Sequence, residues 1–129
     1  MAVSKDLKSI SGSQTTGGAA EETVSLSIDG SAPASSIAVA PGLELILSGW
    51  VVTAESQARF RLQQDNGSGF YDIAFLRVAA DGTVGLTDYG TVPIRIPGGV
   101  GVSFRVRVET PAGGGVPVTV AMRAYTDAA

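Results

Sequence analysis

The sequence predicts an all-β chain: an antiparallel β-sandwich of about nine short strands, jelly-roll-like in kind, preceded by an extended N-terminal arm. Three observations lead there. Apolar and polar residues alternate with a period of two in run after run from Glu22 onward, the signature of strands with one buried face. Seventeen glycines and six prolines punctuate those runs. No segment keeps a helical period, so the crossover helices that a parallel sheet requires are missing. At 129 residues, 44% of them hydrophobic, the chain is one domain's worth and can bury a core without staples.

Residues 1–22 are dominated by Ser, Thr, Gly and Ala, with SGSQTTGGAAEE before the first strand. Such a segment buries too little apolar surface to offset its own ordering. It is expected to be a polar arm, with residues 23–129 as the sandwich domain, and its deletion is expected to leave the fold intact. In the first strand, TVSLSID, Val24, Leu26 and Ile28 share a face. SIAVAPG ends in the Pro41-Gly42 turn. LELILSGWVV follows, then ARFRLQQ, the DNGSG break from Asp65 to Gly69, and FYDIAFLRVA. Asp81-Gly82 is a two-residue turn signal before TVGLTD. PIRIPGG places Ile94 and Ile96 inward and Arg95 outward. VSFRVRVE alternates most cleanly, with Val102, Phe104, Val106 and Val108 set against Ser103, Arg105, Arg107 and Glu109. VPVTVAMRAY closes the chain with Val118, Val120 and Met122 inward. A Greek-key connection is expected, and without cysteine the spacing of a true immunoglobulin domain is absent.

The run from Leu43 to Val52 breaks the pattern, because it is apolar on both faces. Strict alternation puts Leu43, Leu45 and Leu47 on one side and Ile46, Trp50 and Val52 on the other. A strand of this kind needs cover on its second face, and a two-layer sandwich has no spare helix to supply it. Trp50, the only tryptophan, either plugs one end of the core or forms, with Ile46 and Val52, the centre of a subunit contact. The second arrangement is expected, so that Trp50→Ala disperses an oligomer more than it destabilises a monomer.

Composition excludes much chemistry. With no cysteine there are no disulfides, thiolate metal sites or thiol nucleophile, and with no histidine the commonest general base and metal ligand are gone. Ser–His–Asp and Cys–His catalysis are therefore excluded. The twelve carboxylates are scattered, and none is set in an apolar, pKa-raising neighbourhood, so no enzyme and no cofactor are expected. A net charge of −3 argues against binding nucleic acid through its phosphates. MAVSKDLKSISGSQ lacks a signal peptide's apolar core and no run is long enough to span a membrane, so synthesis in the cytoplasm without export is expected. In QQDNGSGFYD, Asp65, Asn66, Ser68 and Asp72 offer oxygens for calcium, but a tight hairpin connection explains the same letters better.

The arginines carry the most information about a surface. Arg59 and Arg61 alternate with Phe60 and Leu62, Arg105 and Arg107 alternate with Phe104 and Val106, and Arg95 and Arg123 also fall on outward positions. Such a face is either ordinary solvated sheet or a surface whose planar, many-donor side chains meet carboxylates on a partner.

The short polar N-terminal segment, the cysteine-free sandwich and the Gly/Ala/Val/Arg-rich sequence together resemble the decoration, or cement, proteins of tailed-bacteriophage capsids. That resemblance implies a structural virion protein bound across capsomer junctions, with the arm reaching over neighbours. It further implies a homo-oligomer, a trimer by preference, with the major capsid protein or another virion protein as partner. Interface residues on this reading are Ile46, Trp50, Val52, Arg59, Arg61, Arg105 and Arg107. A local likeness links VAPGLELILSGWVVTA and ARFRLQQDNGSG to jelly-roll carbohydrate-binding modules, which implies a sugar- or receptor-binding alternative with Tyr71, Tyr89 and Tyr125 as stacking platforms. A further head or tail component is the third reading.

Overall fold

The computed structural model describes residues 6–17, 21–79, 82–86, 94–111 and 113–128. In chain order its strands are β1 (Asp6–Thr15), β2 (Glu22–Val24), β3 (Ser27–Ile28), β4 (Ile37–Ala38), β5 (Leu43–Ala54), β6 (Ala58–Asn66), β7 (Phe70–Val78), β8 (Gly82–Leu86), β9 (Ile94–Pro97), β10 (Val102–Glu109) and β11 (Pro117–Ala128). All pairings among them are antiparallel. One sheet has the order β3-β1-β11-β5-β8, with β9 continuing the β8 side along β5. The other has the order β2-β10-β6-β7, with β4 continuing the β2 side along β10. The chain passes between the sheets repeatedly after β3, giving the jelly-roll-like sandwich that the alternating runs predict. Among the described residues no helix is long and apolar enough to cross a membrane.

The inward positions read from the alternation form the core between the sheets. Val24, Leu26, Ile96, Phe104, Val106, Val108, Val118, Val120 and Met122 are all buried there, beside Phe60, Leu62 and Val78. Ile28, Ile94 and Val102 pack against its margin. The TVSLSID run is one strand in the sequence pattern but two in space. Glu22–Val24 pairs with β10 in one sheet, and Ser27–Ile28 pairs with β1 in the other.

Residues 6–15 of the expected N-terminal arm are instead part of the sandwich. Residues Asp6–Thr15 pair with β11 through ten consecutive register positions and with β3 on the other side, and Ile10 is fully buried against the core. Two polar-looking letters explain why. Gly12 faces inward where the chain crosses between sheets, and a Cβ there would stand 2.2 Å from the Ser25 carbonyl oxygen. Gln14 serves the same crossing: its side-chain oxygen accepts from the Ser25 amide at 3.0 Å, and its nitrogen donates to the Thr23 carbonyl at 3.3 Å. Thr16, also buried, accepts from the Val116 amide with its hydroxyl and donates its own amide to the Val116 carbonyl. Low apolar content concealed a strand whose polar side chains satisfy a neighbour's backbone.

The two-faced run is resolved by a β-bulge. On β11, Arg123 pairs with Gly49 while Ala124 pairs with Leu47, leaving Ser48 as the extra residue of β5. Its hydroxyl donates to the Arg123 carbonyl at 3.0 Å, bridging the interrupted ladder. One inserted residue inverts the phase of every later side chain. Leu45 and Leu47 before the bulge therefore share the inner face with Trp50, Val52 and Ala54 after it, and all five belong to the core. Trp50 is 1% exposed and Val52 fully buried, so neither is the centre of a subunit contact. Ile46 alone remains on the outer side, buried between its cross-strand neighbours Tyr125 and Arg95.

Candidate functional site

The outer face of the five-stranded sheet gathers the arginines. Because Phe60, Leu62, Val106 and Val108 point inward, Arg59, Arg61 and Gln63 on β6 and Arg105, Arg107 and Glu109 on β10 point out. Strand register sets them in rows. Arg59 lies between Arg77 and Glu109, Arg61 between Phe75 and Arg107, and Gln63 between Asp72 and Arg105. A second bulge, with Ile73 as the extra residue of β7, brings Phe70, Asp72, Phe75 and Arg77 onto this same face. Arg95 and Arg123 are not part of the cluster, since both lie on the outer face of the other sheet, where Arg95 pairs with Glu44 at 2.6 Å.

Three of the four expected arginines are answered from within the chain. Arg59 meets Glu109 at 3.2 Å. Arg61 meets Asp72 at 3.1 Å and forms a close ion pair with Glu21. Arg107 bonds to Glu21 at 3.1 Å and to the Thr23 hydroxyl at 3.0 Å. Glu21 thus bridges two guanidinium groups from the approach to β2. The reading of Arg59, Arg61 and Arg107 as open forks for a partner's acids is corrected accordingly. Arg105 is arranged differently: its Nε donates to the Gln63 side-chain oxygen at 2.8 Å, and its guanidinium lies 3.7 Å from the centre of the Phe70 ring. Arg77 stands over the exposed Phe75 ring at 5.7 Å, which tempers its position directly opposite Arg59.

Titration follows this geometry. Burial raises the Glu21 carboxyl's pKa, but hydrogen bonds and charge from Arg61 and Arg107 outweigh that and hold it below the ordinary value of 4.5. The Gln63 amide, then the Arg61 guanidinium, lower the Asp72 carboxyl against partial desolvation. The bond to Glu21 raises Arg61, whereas burial, reinforced by neighbouring Arg107, lowers Arg105. Since Glu21 is depressed in the folded state, its contribution is complete above its unfolded value and is lost as pH falls through the folded value. Glu21→Gln is expected to cost about 1–2 kcal/mol at pH 7, the scale of charge-assisted bonds. Urea unfolding should show that difference shrinking below pH 4.5 and lost as pH falls through the lower folded-state value; a difference constant with pH would mean that the ion pairs add nothing.

Asp65 is committed to its own turn, its Oδ1 accepting from the Gly67 amide at 2.7 Å and the Gly69 amide at 3.0 Å. Among the described residues no group of three His, Cys, Asp or Glu stands together as a metal site. Tyr71 is exposed, Tyr125 is half-buried, and Tyr89 lies outside the described residues. Phe70, Gln63 and Glu21 were missed by sequence reasoning, which read Asp72 only as an oxygen for calcium. Gln63 alternates with Arg59 and Arg61 along β6, and Asp72 joins the same face once the β7 bulge is known; nothing local marks Glu21.

On the opposite outer face, that of the six-stranded sheet, three rows carry mostly short side chains beside Arg123. They run Ser9–Arg123–Gly49, Ser11–Ala121–Val51 and Ser13–Thr119–Thr53, with the Thr119 and Thr53 hydroxyls bonded to each other. Leu7, 77% exposed, stands at one end of this face.

No family model matches the chain, and no curated protein matches it by sequence. Among solved structures it is similar to murine APRIL, with a TM-score of 0.57 and 9% identity over 92% of this chain and 99% of that one. Eiger TNF from S. frugiperda gives a TM-score of 0.49 at 9% identity, covering 92% of both chains. A chain of the cowpea mosaic virus empty virus-like particle gives 0.42 at 11% identity, covering 95% of this chain and 81% of that one. At these identities the likeness concerns the fold.

Proposed function

We propose that this chain is a structural virion protein, a capsid decoration subunit that works by surface burial and without catalysis. It assembles as a closed homo-oligomer, a trimer by preference, and the assembly attaches to the major capsid protein. The observation that carries this reading is the outer face of the six-stranded sheet. Its Ser11–Ala121–Val51 row is short and uncharged, with Arg123 one row away, and Leu7 is exposed at its end. A face of short side chains lets another backbone approach closely over the roughly 800 Å² per partner that a specific contact needs. It replaces Ile46, Trp50 and Val52 as the subunit contact.

Light scattering across a concentration series tests this directly. The native mass is expected at three times the chain's 13.1 kDa. Ala121→Glu, which sets a charge at the middle of the face, should return the protein to single chains without unfolding it. A wild-type monomer at every concentration would overturn the assembly reading and bring forward the carbohydrate-binding alternative, for which Tyr71 is the exposed platform.

A further inference from the structure

We infer that the Arg105 guanidinium is a prepared seat for an aspartate or glutamate side chain of a partner protein. The inference deepens the assembly reading above by giving the chemistry of its second, attaching surface.

Arg105 differs from its neighbours in what it lacks. Arg59, Arg61 and Arg107 each have a carboxylate, while among the described residues Arg105 has none. Its Nε is held by Gln63, and among the described residues no hydrogen-bond partner claims the two terminal NH₂ groups at the outer edge of the guanidinium. Those donors are in a fixed orientation. The Gln63 side chain is 7% exposed, and its nitrogen donates to Asp72 Oδ1 at 2.9 Å, so its oxygen must face Arg105. The Phe70 ring, 3.7 Å from the guanidinium carbon, fixes the plane. A guanidinium held at Nε and by its face presents its remaining edge as a fork, the geometry that receives both oxygens of a carboxylate. Little rotamer freedom is left to lose on binding.

The surroundings select the anion. Arg61 and Arg107 flank Arg105, so an incoming negative charge relieves repulsion among three cations. Glu21, Asp65, Asp72 and Glu109 border the same site, however. A phosphate backbone would meet those acids repeatedly, whereas one carboxylate needs only the fork.

The test uses the full chain labelled at its arginines and reads the Nε–Hε resonances by NMR. The probe is an acetylated, amidated peptide, Gly-Ser-Glu-Glu-Ser-Gly, with the Gln-Gln version as control. The Arg105 resonance should shift saturably with the Glu peptide and stay still with the control. Arg105→Gln should weaken binding about tenfold or more, the scale of one bidentate charge-assisted contact. Arg105→Lys, which keeps charge but loses the fork, should not restore it; both variants should keep the wild-type unfolding midpoint. Binding unchanged in Arg105→Gln, or a fifteen-residue oligothymidine binding more tightly than the peptide, would overturn the proposal. A monomeric wild type that still binds the peptide through Arg105 would support the seat while removing the oligomer. An oligomer whose Arg105 resonance does not respond would remove the seat alone.

Discussion

Trp50→Ala is expected to lower stability by about 3–5 kcal/mol, the range for truncating a large buried aromatic, and to leave the native mass unchanged. The indole is 1% exposed and sits on the inner face of β5 opposite Met122 of β11. Removing it opens a cavity between two sheets that are each pinned by long ladders, β5 with β11 on one side and β6 with β10 and β7 on the other, so the walls can collapse only in part. A loss of this size is about a fifth or more of a typical domain's total stability. Urea unfolding followed by far-ultraviolet circular dichroism measures it, and light scattering on the same samples gives the mass. Dissociation with little change in the unfolding midpoint would return Trp50 to a subunit contact and contradict its place in the core.

Why this residue could be misplaced from sequence says which parts of the fold the letters encode. Inward and outward assignments were legible wherever alternation ran unbroken, as in VSFRVRVE, whose Phe104, Val106 and Val108 are buried and whose Arg105, Arg107 and Glu109 are not. Alternation fails at a bulge, because one extra residue reverses every face beyond it. The signal was present: Ser48-Gly49 interrupts LELILSGWVV, and a glycine inside a strand commonly marks such an irregularity. The arginine face was legible for the same reason as VSFRVRVE, through local period. Its counter-ions were not, since Glu21 lies 40 residues from Arg61 and 86 from Arg107, and only sheet order brings them together. The N-terminal strand was hidden by composition. A strand between two others can be written in serine, glycine and glutamine when its outer side chains meet solvent and its inner ones serve a crossing chain.

Deleting residues 1–15 is accordingly expected to abolish folding. β1 is interior to its sheet, bonded to β11 over ten register positions and to β3 on its far side. Its loss strips β11 of one neighbour along most of its length and leaves β3, two residues long, with no strand to pair with. Ile10 leaves the core, a change that costs about 2–5 kcal/mol even as a truncation to alanine. Gln14 no longer receives the Ser25 amide or reaches the Thr23 carbonyl, so backbone groups at the crossing between sheets lose their partners. Each ladder bond adds about 0.5–1.5 kcal/mol, so the lost ladder is on the same scale as the 5–15 kcal/mol that typically holds a domain together. The measurement is thermal unfolding with near-ultraviolet circular dichroism around the single tryptophan. The truncated chain should show neither a fixed aromatic signal nor a cooperative transition, and should aggregate through the bared edge of β11. A cooperative transition within a few degrees of wild type would make residues 6–15 a detachable arm after all, and the ladder with β11 a contact the domain can do without.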